Sequence, residues 1–178
     1  MENMGLIAVA AAAGTQFAVT GLLLHVVAHG VGKTVLFVSG GQLQAAHGST
    51  SLADISGVLG RSRMAGSAFA VGILVLLGMP PFAMFASELA IARSLADADL
   101  AWALAAAMVL VGVAFAALAR HSGRILLGPP DSGAPPIAAP ATVAVALTAG
   151  VACCAALAVA PHVVTDLLVT AGTFGTAP

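Results

Sequence analysis

Charge is what this chain has least of. Asp, Glu, Lys and Arg make up 7% of its 178 residues, where soluble domains carry about a quarter. With 60% hydrophobic residues and a mean hydropathy of +1.07, it has too little polar surface to cover a globule. The lipid bilayer is therefore its expected solvent. A net charge of −1 leaves no basic footprint, which excludes nucleic acid as a partner. Cysteine is nearly absent. Cys153 and Cys154 are adjacent in an apolar run, which excludes a disulfide framework and a zinc site, whose ligands need spacing. They read as small lipid- or core-facing residues. The start "MENMG" lacks a basic n-region and carries Glu2, so it reads poorly as a signal peptide. Strand-like alternation and internal repeats are missing too, which leaves helices.

What is there is a series of apolar runs with short polar breaks. Residues 3–13 are apolar but short of the roughly 20 residues that span a bilayer core. Gly14, Thr15 and Gln16 form a break. Residues 17–46 are long enough to span. Residues 47–63, "HGSTSLADISGVLGRSR", are the first polar loop. Residues 64–79 are apolar again, "GMPPFAMFASE" interrupts, and 84–95 resume as a short helix. Asp97 and Asp99 are placed to cap the run 100–127. "GPPDSGAPP", 128–136, cannot continue a helix. Residues 141–160 are the last clear span, and the tail from Pro161 is a short helix at best. The expected fold is an all-α integral membrane domain over 1–178. It has about five or six transmembrane helices, one of them broken near Pro80-Pro81.

The cations suggest an orientation. If 64–95 is one crossing made of two half-helices, loops 47–63 and 120–140 lie on the same side. They hold Arg61, Arg63, Arg120 and Arg124, four of the six Lys and Arg residues. The positive-inside rule places them in the cytoplasm of a multi-pass cell (inner) membrane protein, with the N-terminus cytoplasmic and the C-terminus outside. Arg120 and Arg124 also read as side chains that snorkel from a helix end to the interface.

Three ionisable groups interrupt the greasy stretch "GLLLHVVAHGVGKTVLFV", residues 21–38: His25, His29 and Lys33. At four-residue spacing they drift only about 40° per step and form one stripe about 12 Å long. A charge at the bilayer centre costs roughly 2.5–3.5 kcal/mol on insertion scales, so such residues face protein or a wet cavity and are candidates for function. Histidine can pass a proton near neutral pH, and lysine, unlike arginine, can give one up.

Other readings compete. "HGVGKT" ends like a phosphate-binding loop, but that motif needs Gly where Val27 stands, a preceding strand and a soluble helix after it. The His pair could bind a metal, but no Glu follows His25 and no third ligand is in reach on the segment. The blandest reading is that the three side chains only bond to neighbouring helices.

A second candidate lies in "LLGMPPFAMFASELAIA", residues 76–92. Pro80 and Pro81 remove two backbone donors and break the helix. Irregular backbone at membrane depth is tolerated only where protein or water covers it, and broken helices sit at ion sites in transporters. Glu88 follows as the one carboxylate well inside an apolar run. Desolvation and a helix N-terminus act on its charge in opposite senses. Its bland reading is a pairing with a partner helix.

The ordered set "ENMGLIAVA", "LLLHVVAHGVGKTVLFVSGGQLQ", "DISGVLGR", "GMPPFAMFASELAI" and "ARHSGRILLGPP" resembles the antiporter-like, proton-pumping membrane subunits of respiratory complex I. It resembles in particular their counterparts in group-four membrane-bound hydrogenases of the formate hydrogenlyase type; multisubunit sodium/proton antiporters share the family. The resemblance covers residues 1–160. It implies that His25, His29 and Lys33 match the family's His-x-x-x-His-x-x-x-Lys helix. It also implies that Glu88 ends the central polar axis on the outer half of the membrane. Family members are much longer, and their first broken helix, with its Lys and paired Glu, has no counterpart here. The chain thus corresponds to the C-terminal part of such a subunit. The implied function is proton translocation in a complex I-like NADH:quinone oxidoreductase or a membrane-bound hydrogenase. Its partners would be other membrane and peripheral subunits. No cofactor is expected, since no flavin, iron–sulfur or nickel site is encoded and redox chemistry would belong to those subunits. The alternatives are a subunit of a cation/proton antiporter and a non-conducting structural piece.

Overall fold

A computed structural model describes residues 2–48, 51, 55–129, 138–160, 162–163 and 166–167. Those residues form helices and connections, with no strand among them. The helices are α1 (Glu2–Ala13), α2 (Gln16–His47), α3 (Val58–Arg61), α4 (Arg63–Leu76), α5 (Ala83–Asp97), α6 (Ala101–Leu127) and α7 (Ala141–Val159). Three of them, α2, α6 and α7, are long and apolar enough to cross a membrane. The Pro161 tail lies largely outside the described residues, as does most of the 128–136 loop.

Helix α2 is the hub. Thr15 starts it by accepting the Ala18 amide on its hydroxyl at 3.0 Å, and Gly48 ends it in the left-handed conformation with φ 63°. Its 32 residues run about 48 Å. One face is buried against α1, α4, α5 and α7.

The partner on that face is broken in two. Gly32 of α2 lies against Val75, Leu36 against Gly72 and Gly40 against Phe69, so α4 runs antiparallel along the C-terminal half of α2. Gly21 lies against Ala90 and Ile91, and His25 against Ser87, so α5 runs antiparallel along the N-terminal half. The two half-helices sit end to end as one crossing, interrupted at residues 77–82 beside Ala28. The expected break at Pro80–Pro81 is therefore present. Beside the three long helices, the described residues hold the shorter apolar helix α1 and this composite of α4 and α5. Close packing depends on missing side chains. A Cβ on Gly32 would stand 2.6 Å from Val75 Cγ1, and one on Gly72 would stand 3.1 Å from the Leu36 backbone. Small residues let helix backbones approach where lipid supplies no hydrophobic driving force.

The polar ends sort to two sides. Leu43, Ile55, Val58, Ala65 and Ile125 form one buried cluster, and the Ser56 hydroxyl donates to the Pro129 carbonyl at 2.9 Å. The end of α2, α3, the start of α4 and the end of α6 thus share one side. That side carries Arg61, Arg63 and Arg124, and there the Arg61 guanidinium bonds His47 Nε2. The α5–α6 turn occupies the other. Asp97 and Asp99 do not cap α6. Asp97 is the last residue of α5, Asp99 is in the turn at φ 57°, and Leu100 is the N-cap with no side-chain bond. The turn is closed by its backbone instead, through Leu100 N–H to the Leu95 carbonyl at 2.9 Å.

Helices α6 and α7 are the outer elements. Only Ser122 and Ile125 of α6 are buried, and Trp102, Val109, Leu110 and Val113 present an apolar face. Cys153 faces out and Cys154 faces the core, one residue in each expected environment.

Candidate functional site

The site is built on the face of α2 that meets the broken helix. His25 is wholly buried and His29 is 7% exposed. Their rings stack at 6.1 Å between centroids and 11° between planes, as i, i+4 spacing allows. His25 Nδ1 lies 3.0 Å from Ser87 Oγ. That hydroxyl donates its one proton to the Met84 carbonyl at 2.6 Å. The serine therefore has a lone pair to offer His25, and a ring protonated on Nδ1 donates to it. Among the described residues, buried His25 Nε2 has no hydrogen-bond partner.

His29 is held from the other side. The Asn3 amide of α1 lies 2.9 Å from His29 Nδ1. The nitrogen of that amide can only donate, so Nδ1 accepts and the proton of neutral His29 sits on Nε2. The two rings thus present opposite roles, a donor on His29 and an acceptor on His25. Lys33, half-buried one turn further, lies with Nζ 5.6 Å from the centroid of the Phe37 ring, within range of a cation–π contact. Among the described residues no group of three His, Cys, Asp or Glu side chains gathers to hold a metal.

Glu88 sits one residue after Ser87 but about 100° further round α5. Its carboxyl packs over Gly78 in the break. It also borders a small cleft of about 20 Å³ shared with Leu76, Leu77, Val111, Ala114, Phe115 and Leu118. The break thus puts Ser87 toward the histidines and Glu88 toward α6. Pro80 and Pro81 are exposed at the rim of the break. Asn3, Ser87 and Gly78 were not singled out from the sequence, since no motif marks a single Asn, Ser or Gly in an apolar run.

Residues 1–114 match the transmembrane family of NADH:quinone oxidoreductase and Mrp antiporter. Since that match takes in most of the chain, the protein belongs to this family of antiporter-like membrane subunits. It is similar to the hydrogenase-4 component F homolog of Methylacidiphilum infernorum, 30% identical over 139 residues, 77% of this chain and 29% of that one. It is also similar to an uncharacterized protein of Mycobacterium tuberculosis, in strains CDC 1551 and H37Rv, 35% identical over 108 residues, 54% of this chain and 17% of that one. The chain thus spans less than a third of the length of these relatives.

Proposed function

We propose that this chain supplies part of a proton path in a multisubunit membrane oxidoreductase of the hydrogenase or NADH:quinone type. The path includes Lys33, His29, His25 and Glu88, and the chain itself contributes no redox centre. The observation that carries the reading is the His25–His29 pair. Two imidazoles are stacked in an apolar setting with complementary proton roles, and the acceptor nitrogen of His25 is buried without a described protein partner. Parallel stacked rings cannot hydrogen-bond to each other, because their N–H groups lie in the ring planes. A water molecule would bridge them, as buried polar atoms commonly require. Ser87 then links the pair to the half-helix that carries Glu88.

In this reading the Arg-rich side faces the cytoplasm of the cell (inner) membrane. The family also includes the Mrp antiporter, so a second reading is exchange of a cation such as sodium for protons through the same residues.

The test is Glu88→Gln in the assembled complex, reconstituted in proteoliposomes with protein level controlled. Loss of redox-driven proton uptake at normal assembly supports the reading. Full uptake contradicts it, and uptake that depends on sodium favours exchange.

A further inference from the structure

Gly78 is buried in the break between α4 and α5 at φ +60°, and its amide donates to the Val75 carbonyl at 3.1 Å. A Cβ built there would stand 2.8 Å from both Cδ and Oε1 of Glu88, closer than real contacts allow. The carboxyl therefore fills the space a side chain would take. Glu88 also lines the cleft against α6, with about 20 Å³ of room, enough for about one water. The Glu88 side chain thus meets both the Gly78 backbone and a space one water wide.

We propose that Gly78 is a positioning residue for Glu88. By having no side chain, it lets the carboxyl lie back over the break and keeps it at the mouth of the one-water cleft. This rests on the reading of Glu88 as a proton carrier. Any side chain at position 78 pushes the carboxyl forward into the cleft, where it takes the water's place.

Two effects of a substitution must be separated, because φ +60° disfavours most residues whatever the space. Asparagine tolerates that conformation better than alanine but carries the same Cβ. Glu88→Asp draws the carboxyl back by one methylene and leaves the strain at position 78 unchanged. The experiment compares Gly78→Ala, Gly78→Asn, Glu88→Asp and the double variant Gly78→Ala/Glu88→Asp in the assembled complex. It reads redox-driven proton uptake and the rate at which an apolar carbodiimide modifies residue 88, followed by mass spectrometry. Both Gly78 variants are expected to assemble, to label faster at Glu88 and to lose uptake several-fold. The double variant should recover to the level of Glu88→Asp alone. Native labelling in both Gly78 variants overturns the proposal. So does a double variant that falls below Glu88→Asp alone, since backbone strain would then be at work. Labelling reports the carboxyl's placement whether or not Glu88 carries protons, so it decides the positioning even where Glu88→Gln pumps normally.

Discussion

His25 and Ser87 are 62 residues apart in the chain and 3.0 Å apart in space. Their bond crosses from the continuous helix α2 to the second half of the broken one. It gives a fully buried imidazole its hydrogen-bond partner on Nδ1. Ser87 in turn is anchored by its own donation to the Met84 carbonyl. The pair thus ties the second half of the broken helix to the stripe on α2.

Removing that hydroxyl should weaken the fold. Ser87→Ala leaves His25 Nδ1–H buried and unpaired, which costs about 1–3 kcal/mol. Unfolding in mixed micelles on titration with dodecyl sulfate should show an earlier midpoint. An unchanged midpoint means that another group satisfies the imidazole.

Helix packing offers a second contrast on α2 itself. Gly32→Val places atoms where Val75 already stands, and such overpacking typically costs about 1–3 kcal/mol. Gly30 has open space around its Cβ direction, so Gly30→Ala should leave the yield of folded chain unchanged or slightly higher. Equal yields from both variants would show that α2 and α4 are not in close contact.

Sidedness can be read with thiols. Gly60 and Leu127 are exposed on the Arg-rich side, and Ala96 is exposed on the other. In a background with Cys153 and Cys154 replaced by alanine, Gly60→Cys and Leu127→Cys should resist an impermeant reagent added to intact cells. Ala96→Cys should react. The reverse pattern inverts the proposed orientation.

Much of the architecture was legible in the sequence because membrane helices announce themselves by run length. The span 17–46 became α2, the Pro80–Pro81 pair marked the break, and Arg61, Arg63 and Arg124 share a side, with Arg124 in the last turn of α6 rather than in a loop. The partners of the stripe were not legible. Asn3 meets His29, and Ser87 meets His25, only because α1 and α5 run antiparallel to α2, and the residues spent in the break shift the register between α4 and α5. Glu88 was expected where the helix resumes after the break, at the end of the polar axis. Its position beside Gly78 follows from the 100° step after Ser87, which no one-dimensional spacing reveals without the register. Asp97 and Asp99 misled because capping residues look the same in a turn that closes by backbone bonds.

Lys33 gives a chemical prediction. Lys33→Arg keeps the charge and the contact with Phe37, but a guanidinium hardly releases its proton. Proton uptake by the assembled complex should fall while assembly stays normal. Undiminished uptake would show that Lys33 acts as a fixed charge.

The most direct measurement is the number of protons taken up per electron transferred by the assembled complex in proteoliposomes, for Lys33→Met beside Glu88→Gln. Both substitutions remove a titrating group and keep the approximate shape. Expected is a fall on the order of tenfold or more in each variant, as for loss of a positioned proton-transfer group, with electron transfer and subunit content retained. Native stoichiometry in both would contradict the proton path and leave the stripe as interhelical bonding alone.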